Sequence, residues 1–368
     1  MAATWGWWLY SFGPAMVLLR DEQGTSRAVA SLHGTLLAVG ALLAGVLAAP
    51  MVQWFGRRRL LAMGCAGIAG GVVLLVTGPG LAFTLLAALV IGTFGSMAFN
   101  MTTPVLTAAH RETAPAAISE ANAVAATVGL LAPLGLGAAV VVGWGWRAAA
   151  AVSAATALLT VAAVVRAGSS PAWSTRPVTR AAGRTPFTLP FWAIWVALVA
   201  CIGVEFASTF WAADLLMTEH GMPPGRAAAA VAALVGGMAA GRWVAAWAAR
   251  RWAAAPMLTV ALIVAGVGWL VMWVAPGPVT AVCGLALLGL GMSWHFPMTI
   301  TLLIKAAGPG RTDSAAGLAS VGAGIASGGA PFLLGALADR VGPHSAFGVV
   351  PVLLLAALVG LRVATRAD

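Results

Sequence analysis

The stretch from residue 189 to residue 217 reads LPFWAIWVALVACIGVEFASTFWAADLLM, and its only charged side chains are Glu205 and Asp214. A helix needs about 20 predominantly apolar residues to cross the hydrocarbon core of a bilayer. Polar and apolar residues do not alternate here as they would along a half-buried strand. The stretch therefore predicts a helix that spans a membrane.

The rest of the chain has the same character. Of its 368 residues, 61% are hydrophobic and 8% are charged, whereas a soluble domain has about 25% charged residues. The 45 glycines suit a helical membrane protein, because small residues let neighbouring helices approach closely. The composition excludes a soluble globular protein and predicts an all-α integral membrane protein.

Charged residues and clusters of Pro and Gly divide the sequence into twelve long apolar segments, which we number as spans 1 to 12. A segment rich in Arg, Ser and Pro separates the sixth span from the seventh. We therefore predict a first six-helix bundle at 1–165, a cytoplasmic linker at 166–188 and a second six-helix bundle at 189–368. The predicted spans are about 4–19, 28–54, 60–77, 81–108, 116–142, 146–165, 189–217, 227–249, 255–275, 279–304, 314–338 and 345–362.

The net charge of +10 is explained by membrane topology, because Lys and Arg collect in cytoplasmic loops. With the amino terminus placed in the cytoplasm, fourteen of the 20 basic residues fall on the cytoplasmic side and five on the other side, and Arg242 lies inside span 8. The charge distribution predicts a multi-pass protein of the cell inner (cytoplasmic) membrane with both termini in the cytoplasm. It gives no reason to expect a nucleic-acid partner.

Two short patterns recur between the halves of the chain. SMAFNMT at 96–102 in span 4 matches SWHFPMT at 293–299 in span 10. Ala132-Pro133 in span 5 matches Ala330-Pro331 in span 11 at almost the same separation. Parallel six-helix repeats are a known transporter design, so the matches favour a duplicated six-helix unit.

Two further patterns give a resemblance to a known family. The sequence after span 2 reads APMVQWFGRRR at 49–59, and span 11 ends in GALADRVG at 335–342. Both are similar to the G-x-L-a-D-R-x-G-R-[RK] loop signature of the major facilitator superfamily (MFS), although Gln53 stands where the family has an acid. With its twelve spans, basic linker and repeat, the whole chain resembles an MFS transporter. The resemblance implies two pseudo-symmetric six-helix bundles, with spans 1, 4, 7 and 10 around a central cavity.

The residues of these loop patterns are candidates for gating. A glycine suits a sharp turn at a helix end, and Arg can bind helix carbonyls, acids or lipid phosphates. Three consecutive Arg at a cytoplasmic helix end would also serve topology alone, so both roles stay open. We expect Asp339 and Arg340 to form a helix-end cap and an ion pair. The gating or topology candidates are Gly56, Arg57, Arg58, Arg59, Asp339 and Arg340.

Ionisable side chains inside the bilayer are candidates for function, because an ionised group at its centre costs about 2.5 to 3.5 kcal/mol on insertion scales. Glu205 lies near the middle of span 7 and His295 near the middle of span 10. We predict that Glu205 is the proton carrier and that His295 is its partner or a substrate ligand. Glu205 could instead be a protonated acid bonded to a neighbouring helix, and His295 an interhelical hydrogen-bond partner.

Candidates for substrate binding lie on the spans that the resemblance places around the cavity. Ser208 and Thr209 follow Glu205 by three and four residues and so share its helix face. Span 4 carries a polar stripe that could equally serve helix packing. The candidates are Tyr10, Ser96, Asn100, Thr103, Ser208, Thr209, Trp211 and Trp294.

These features predict a secondary active transporter that moves a small solute by alternating access, coupled to protons and symporter-like. The alternative is a proton-driven drug or metabolite efflux antiporter. The drug antiporters of the family carry an Arg and a Gln-Gly in span 4, where this chain has Ile91, Phe94 and Gly95. The absence of that Arg and Gln favours the symporter.

An enzyme or a sensor fits the sequence less well. Neither a Walker phosphate loop nor an H-E-x-x-H motif occurs, and the linker is too short for an output domain. The three Cys lie in apolar segments without metal-ligand spacing. We therefore predict a protein that is not an enzyme, needs no cofactor or metal, acts as a monomer, and interacts with protons, membrane lipids and a small-molecule substrate.

Overall fold

The computed structural model describes residues 1–168, 173, 186–248 and 251–366. Every regular element in this part of the chain is a helix. Eleven helical segments in it are long and apolar enough to cross a membrane. The predicted all-α membrane fold is therefore confirmed.

The helices follow the order of the predicted spans, with two differences in how they are divided. Spans 2 and 3 form one helical run whose backbone is non-helical at Gly56, and span 10 is divided into two helices. A 3-10 turn, Arg111–Thr113, follows span 4, and a single helical turn, Pro343–Ala346, precedes span 12. The bounds are Ala2–Gln23 for span 1, Arg27–Thr77 for spans 2 and 3, Leu81–His110 for span 4, Ala114–Val141 for span 5, Gly145–Arg166 for span 6, Leu189–His220 for span 7, Pro224–Ala248 for span 8, Ala254–Trp273 for span 9, Pro278–Met292 and His295–Ala307 for span 10, Thr312–Val341 for span 11, and Val349–Arg366 for span 12.

Span 1 is longer than its apolar segment predicts. The helix has 22 residues, enough to cross a bilayer, because it continues through Arg20, Asp21 and Glu22 at its outer end. These charges are paired where the helix ends: Arg20 contacts Asp21, and Glu22 accepts hydrogen bonds from Arg147 of span 6 at 2.7 and 2.8 Å. Pairing lets charged residues extend the helix beyond the apolar stretch.

The interruption of span 10 was not predicted, and its cause is Pro297. Proline has no backbone N–H and crowds the carbonyl four residues before it, which here belongs to Ser293. The first helix of the span accordingly ends at Met292 and the second begins at His295. The break places Trp294 and His295 at an irregular point in the middle of the span.

The described residues divide into two compact units. The first comprises Met1–Thr25 and Val29–Val178, and the second comprises Ser26–Ala28 and Thr179–Asp368. Most of the predicted linker at 166–188, with Arg176, Arg180 and Arg184, lies outside the described residues, as does Arg250 at the end of span 8. The predicted domain limits therefore stay a prediction.

Within each unit, helices approach so closely at glycines that no other residue fits. In the second unit, a Cβ on Gly237 of span 8 would overlap the carbonyl of Ala286, and one on Gly289 of span 10 would overlap the carbonyl of Leu234. Glycines on the other side of span 10 meet span 9: Gly284 meets Met272, and Gly291 meets Ala265. The first half of span 10 is thus packed between spans 8 and 9 by backbone contact.

Indole groups supply hydrogen bonds between helices. Six tryptophans of the described residues donate their Nε1–H to a backbone carbonyl of a different helix or of the turn before one, over 2.7 to 3.1 Å. An indole buries a large apolar ring and still places one donor, which suits a medium in which every polar group needs a partner. The donor and acceptor pairs are Trp7 with Ala149, Trp195 with Leu318, Trp211 with Pro331, Trp269 with Phe347, Trp273 with His344, and Trp294 with Gly241.

We expect Gly289→Val to destabilise the protein by at least about 2 kcal/mol, because the added side chain forces spans 8 and 10 apart. Gly329→Val is the matched control, since Gly329 also lies in a helix but has nothing within 4 Å of its Cβ position. Thermal unfolding of the purified protein in detergent measures the difference. Equal melting temperatures for the two variants would show that the contact at Gly289 does not hold these spans together.

Candidate functional site

The predicted proton carrier, Glu205, lies in the interior of span 7 and is half-buried. Its carboxylate makes no hydrogen bond or salt bridge with any other described residue. The cationic side chain that acts on it electrostatically is Arg242 of span 8. Glu205 is therefore a membrane-embedded ionisable group, and its cationic neighbour Arg242 lies beyond hydrogen-bonding distance.

Two hydroxyl groups on the face of Glu205 lack a hydrogen-bond partner in the part of the chain that the structure describes. They belong to Ser208 and Thr209, whose exposed fractions are 0% and 8%. Ser and Thr in helices commonly donate to the carbonyl of the preceding turn, as Thr299 does to His295 at 2.6 Å. Because a buried polar group without a partner is costly, these two hydroxyls are suited to a ligand.

Arg242 is the residue that the sequence analysis left without a role. It is exposed, although it lies in a helix long and apolar enough to span the membrane. Like Glu205, it makes no hydrogen bond or salt bridge with the other described residues. Its position is the signal in the sequence: Arg242 is the one basic residue that the count of basic residues by side assigns to neither side of the membrane.

The loop between spans 7 and 8 places Glu205 and Arg242 at similar depths. Glu205 lies fifteen residues before the end of one helix at His220, and Arg242 eighteen residues after the next begins at Pro224. At 1.5 Å per residue, two antiparallel helices joined by this short turn place the two residues at depths that differ by only about 5 Å.

Trp294, a predicted substrate ligand, anchors the broken span 10 beside Arg242. Its indole donates to the carbonyl of Gly241 at 2.7 Å, and its exposed fraction is 8%. The adjacent Ser293 hydroxyl occupies the space that a Cβ on Gly241 would need. The break in span 10 is therefore attached to the residue that precedes Arg242.

His295 is buried, with an exposed fraction of 1%. Its ring approaches the carbonyls of Cys201 in span 7 and Ala261 in span 9, but neither ring nitrogen forms a hydrogen bond of acceptable geometry with another described residue. The ring lies about one helical turn from Glu205, because Cys201 precedes Glu205 by four residues. The role of His295 in proton coupling stays a prediction.

The remaining predicted ligands differ in their surroundings. In the second unit, Trp211 is 1% exposed and donates to the carbonyl of Pro331 in span 11, so it holds two helices together. In the first unit, Tyr10 is buried against Gly129 and Ser96 is buried, whereas Asn100 and Thr103 are exposed. Of the four candidates in the first unit, two therefore lie on the surface of that unit.

The loop pattern after span 2 has the geometry of a sharp turn with a cap. Gly56 has φ 74 and ψ 160, a backbone conformation that other residues rarely adopt. The guanidinium of Arg58 donates to the carbonyls of Val164 and Val165 at 3.0 and 2.7 Å. These carbonyls lie at the end of span 6, where a cation is favourable, so Arg58 caps that helix. Arg59 is exposed.

The pattern at the end of span 11 binds two backbone N–H groups of its own unit. The two oxygens of Asp339 accept the backbone N–H groups of Arg27 and Ala28, each at 2.9 Å, while Arg340 is exposed. The side chain of Arg27 donates to Asp214, which is 1% exposed, at 2.7 Å. Two carboxylates of the second unit thus hold its Ser26–Ala28 segment.

The family model described as Major Facilitator Superfamily matches residues 1–331 and 198–368. The chain belongs to this superfamily. It is therefore a multi-pass membrane protein that transports small molecules and is not an enzyme. Comparison with curated protein sequences returns no match.

Solved structures share the fold at low sequence identity. One is a bacterial homologue of the human lysosomal transporter Spinster, with 14% identity and a TM-score of 0.78 over 100% of this chain and 96% of that chain. The peptide transporter POT in complex with sulfate has 14% identity and a TM-score of 0.76 over 99% and 92%. The nucleoside transporter NupG has 13% identity and a TM-score of 0.78 over 99% and 95%. At these identities the likeness shows the fold alone.

We expect Asp339→Ala to lower the free energy of unfolding by about 1 kcal/mol, because two N–H groups in the first helical turn lose their acceptor. Asp339→Asn should lower the free energy of unfolding less, since the side-chain carbonyl oxygen of Asn still accepts one of the two N–H groups. Arg340→Ala, the neighbouring exposed residue, is the control and should stay within about 0.5 kcal/mol of the wild type. Thermal unfolding compares the three variants, and an Arg340→Ala loss equal to that of Asp339→Ala would contradict the capping role.

Proposed function

We propose that the chain is a proton-coupled symporter of a small polar solute. It acts as a monomer in the cell inner (cytoplasmic) membrane with both termini in the cytoplasm. The observation that carries the proposal is the membrane-embedded carboxylate of Glu205, half-buried and beside the hydroxyls of Ser208 and Thr209, which have no partner among the described residues. Ionisable residues inside a membrane are rare and mark proton relays and substrate pathways.

Proton binding changes the charge of this site in a defined way. The guanidinium of Arg242 is a fixed positive charge, which an ionised Glu205 balances and a protonated Glu205 does not. In surroundings of low dielectric constant such a change is worth several times its value in water. Proton occupancy can therefore bias the carrier between access states, which in transporters with six-helix repeats differ by rocking of the bundles.

The alternative is a proton-driven efflux antiporter for a drug or metabolite, which could use the same carboxylate. Ser208 and Thr209 favour a solute that forms hydrogen bonds, because a lipophilic drug would leave both hydroxyls without partners. Ile91, Phe94 and Gly95 in span 4 lack the Arg and Gln of the drug antiporters that the sequence resembles. The hydroxyls support a polar solute, and the departure in span 4 supports symport over drug efflux.

Glu205→Gln should abolish proton coupling, because an amide cannot release a proton. The test uses proteoliposomes with an entrapped pH dye and a panel of single amino acids, dipeptides, nucleosides and organic acids. With the wild type, entry of a transported solute should acidify the lumen. With Glu205→Gln this acidification should disappear. Glu219→Gln is the matched control, because Glu219 is an exposed carboxylate at the outer end of the same helix.

Two outcomes would contradict the proposal. Coupling that persists in well-folded Glu205→Gln would place the proton elsewhere. Alkalinisation of the lumen on solute entry would indicate exchange, and so the antiporter. An infrared pH titration of the purified protein gives a check that needs no substrate: the wild type should show the band of a protonated carboxyl group that Glu205→Gln lacks.

A further inference from the structure

We propose that Arg242 binds an oxyanion group of the transported solute, a carboxylate or a phosphate, while other polar groups of the same solute reach the hydroxyls of Ser208 and Thr209. The inference rests on the proposed proton coupling at Glu205 and names the substrate class of that site. The solute is then a small organic anion or a zwitterion, and not a neutral or cationic compound.

The first support is the state of the Arg242 side chain. It is exposed in a membrane-spanning helix and forms no hydrogen bond or salt bridge with any other described residue. A guanidinium offers five N–H donors in a planar fork that matches carboxylate and phosphate oxygens. Because a charged group in the membrane interior is costly without a partner, this fork is suited to an anion that enters from outside the protein.

The second support is independent of the charge and comes from span 7. Ser208 and Thr209 are more than nine-tenths buried, and their hydroxyls have no partner among the described residues. They stand one helical turn beyond Glu205 toward the outer end of span 7, which places them about 9 to 11 Å in depth from Arg242. A solute whose oxyanion lies at Arg242 can reach them with its other polar groups, because hydroxyls both donate and accept hydrogen bonds.

Charge balance links the anion to the proton. Among the described residues, Cys201 on the same helix and Arg242 on span 8 interact electrostatically with Glu205, and His295 on span 10 approaches the carbonyl of Cys201. When Glu205 is protonated, the positive charge of Arg242 has no counterion within this group. An anion that binds with the proton restores neutrality, so each ligand raises the affinity for the other.

The binding test uses compound pairs that differ in charge and little else: benzoate with benzamide, N-acetylalanine with its amide, and uridine monophosphate with uridine. At least one anion should raise the melting temperature of the purified wild type at millimolar concentration, because a ligand that binds the folded state stabilises it. Its neutral counterpart should not. Arg242→Gln should weaken anion binding roughly tenfold to hundredfold, the expected loss of a charge-assisted contact.

Three variants separate binding at Arg242 from indirect effects. Arg242→Lys keeps the charge without the fork and should retain part of the affinity. Arg226→Gln removes an exposed charge at the outer end of the same helix and should bind as the wild type does. Glu205→Gln imitates the protonated site and should bind the anion at least as tightly as the wild type.

The inference fails if neutral compounds stabilise the wild type as strongly as their anions, if no anion stabilises it, or if Arg242→Gln binds normally. Its failure is distinguishable from that of the proposed function. A neutral solute transported with Glu205-dependent protons would overturn the anion site and leave the coupling intact. An Arg242-dependent anion whose transport moves no protons would overturn the coupling and leave the anion site.

Discussion

The fold depends on bringing helix backbones into contact in a medium that does not push them together. Lipid tails are as apolar as the side chains of the protein, so close van der Waals packing and hydrogen bonds between helices must hold each unit. With 8% of its residues charged, the chain has few charged side chains for this purpose. Glycine contacts such as Gly289 with Leu234 and indole bonds such as Trp269 with Phe347 fill the role. Both the glycine contacts and the indole hydrogen bonds require neighbouring helices to be aligned along their axes. A substitution at one small residue is therefore expected to lower stability.

The same constraint explains which parts of the fold were predictable. Length and apolarity alone require a helix wherever a long apolar run crosses lipid, so the number and order of the spans follow from the sequence. The ends of the helices are harder to predict, because charge pairing beyond the apolar run determines them. Span 1, for example, continues to Gln23 through charged residues that Arg147 helps to neutralise. The interruption of span 10 was missed for another reason. Proline inside a membrane helix is often tolerated, and sequence does not say whether a neighbouring helix, here through Trp294 and Gly241, will hold the broken form.

The sequence predicts only those site residues that the free-energy cost of a charged group within the membrane identifies. A carboxylate in the middle of the membrane costs free energy whichever way its side chain points, so the position of Glu205 in the sequence is enough to predict it as a functional residue. Arg242 is expensive too, but it lies six residues from its helix end, where a long side chain can reach the interface, and only the turn between spans 7 and 8 shows that its depth is that of Glu205. The roles of the tryptophans were harder to predict, because the depth of a residue in the membrane does not show which side of the helix its side chain faces. Trp211 and Trp294 lie on spans that the family resemblance places around a cavity, yet the indole of each donates to a neighbouring backbone carbonyl.

The bond between Trp294 and Gly241 ties the irregular point of span 10 to the backbone beside Arg242. Gly241 has to be a glycine there, because the Ser293 hydroxyl takes the space of a Cβ, and the close approach is what lets the indole reach the carbonyl. The irregular point of span 10 and the backbone that carries Arg242 are therefore held together by direct contact. Since the helix that carries His295 begins at the same break, the backbones that position Arg242 and His295 meet at one place, and a substitution at Gly241 would disturb both.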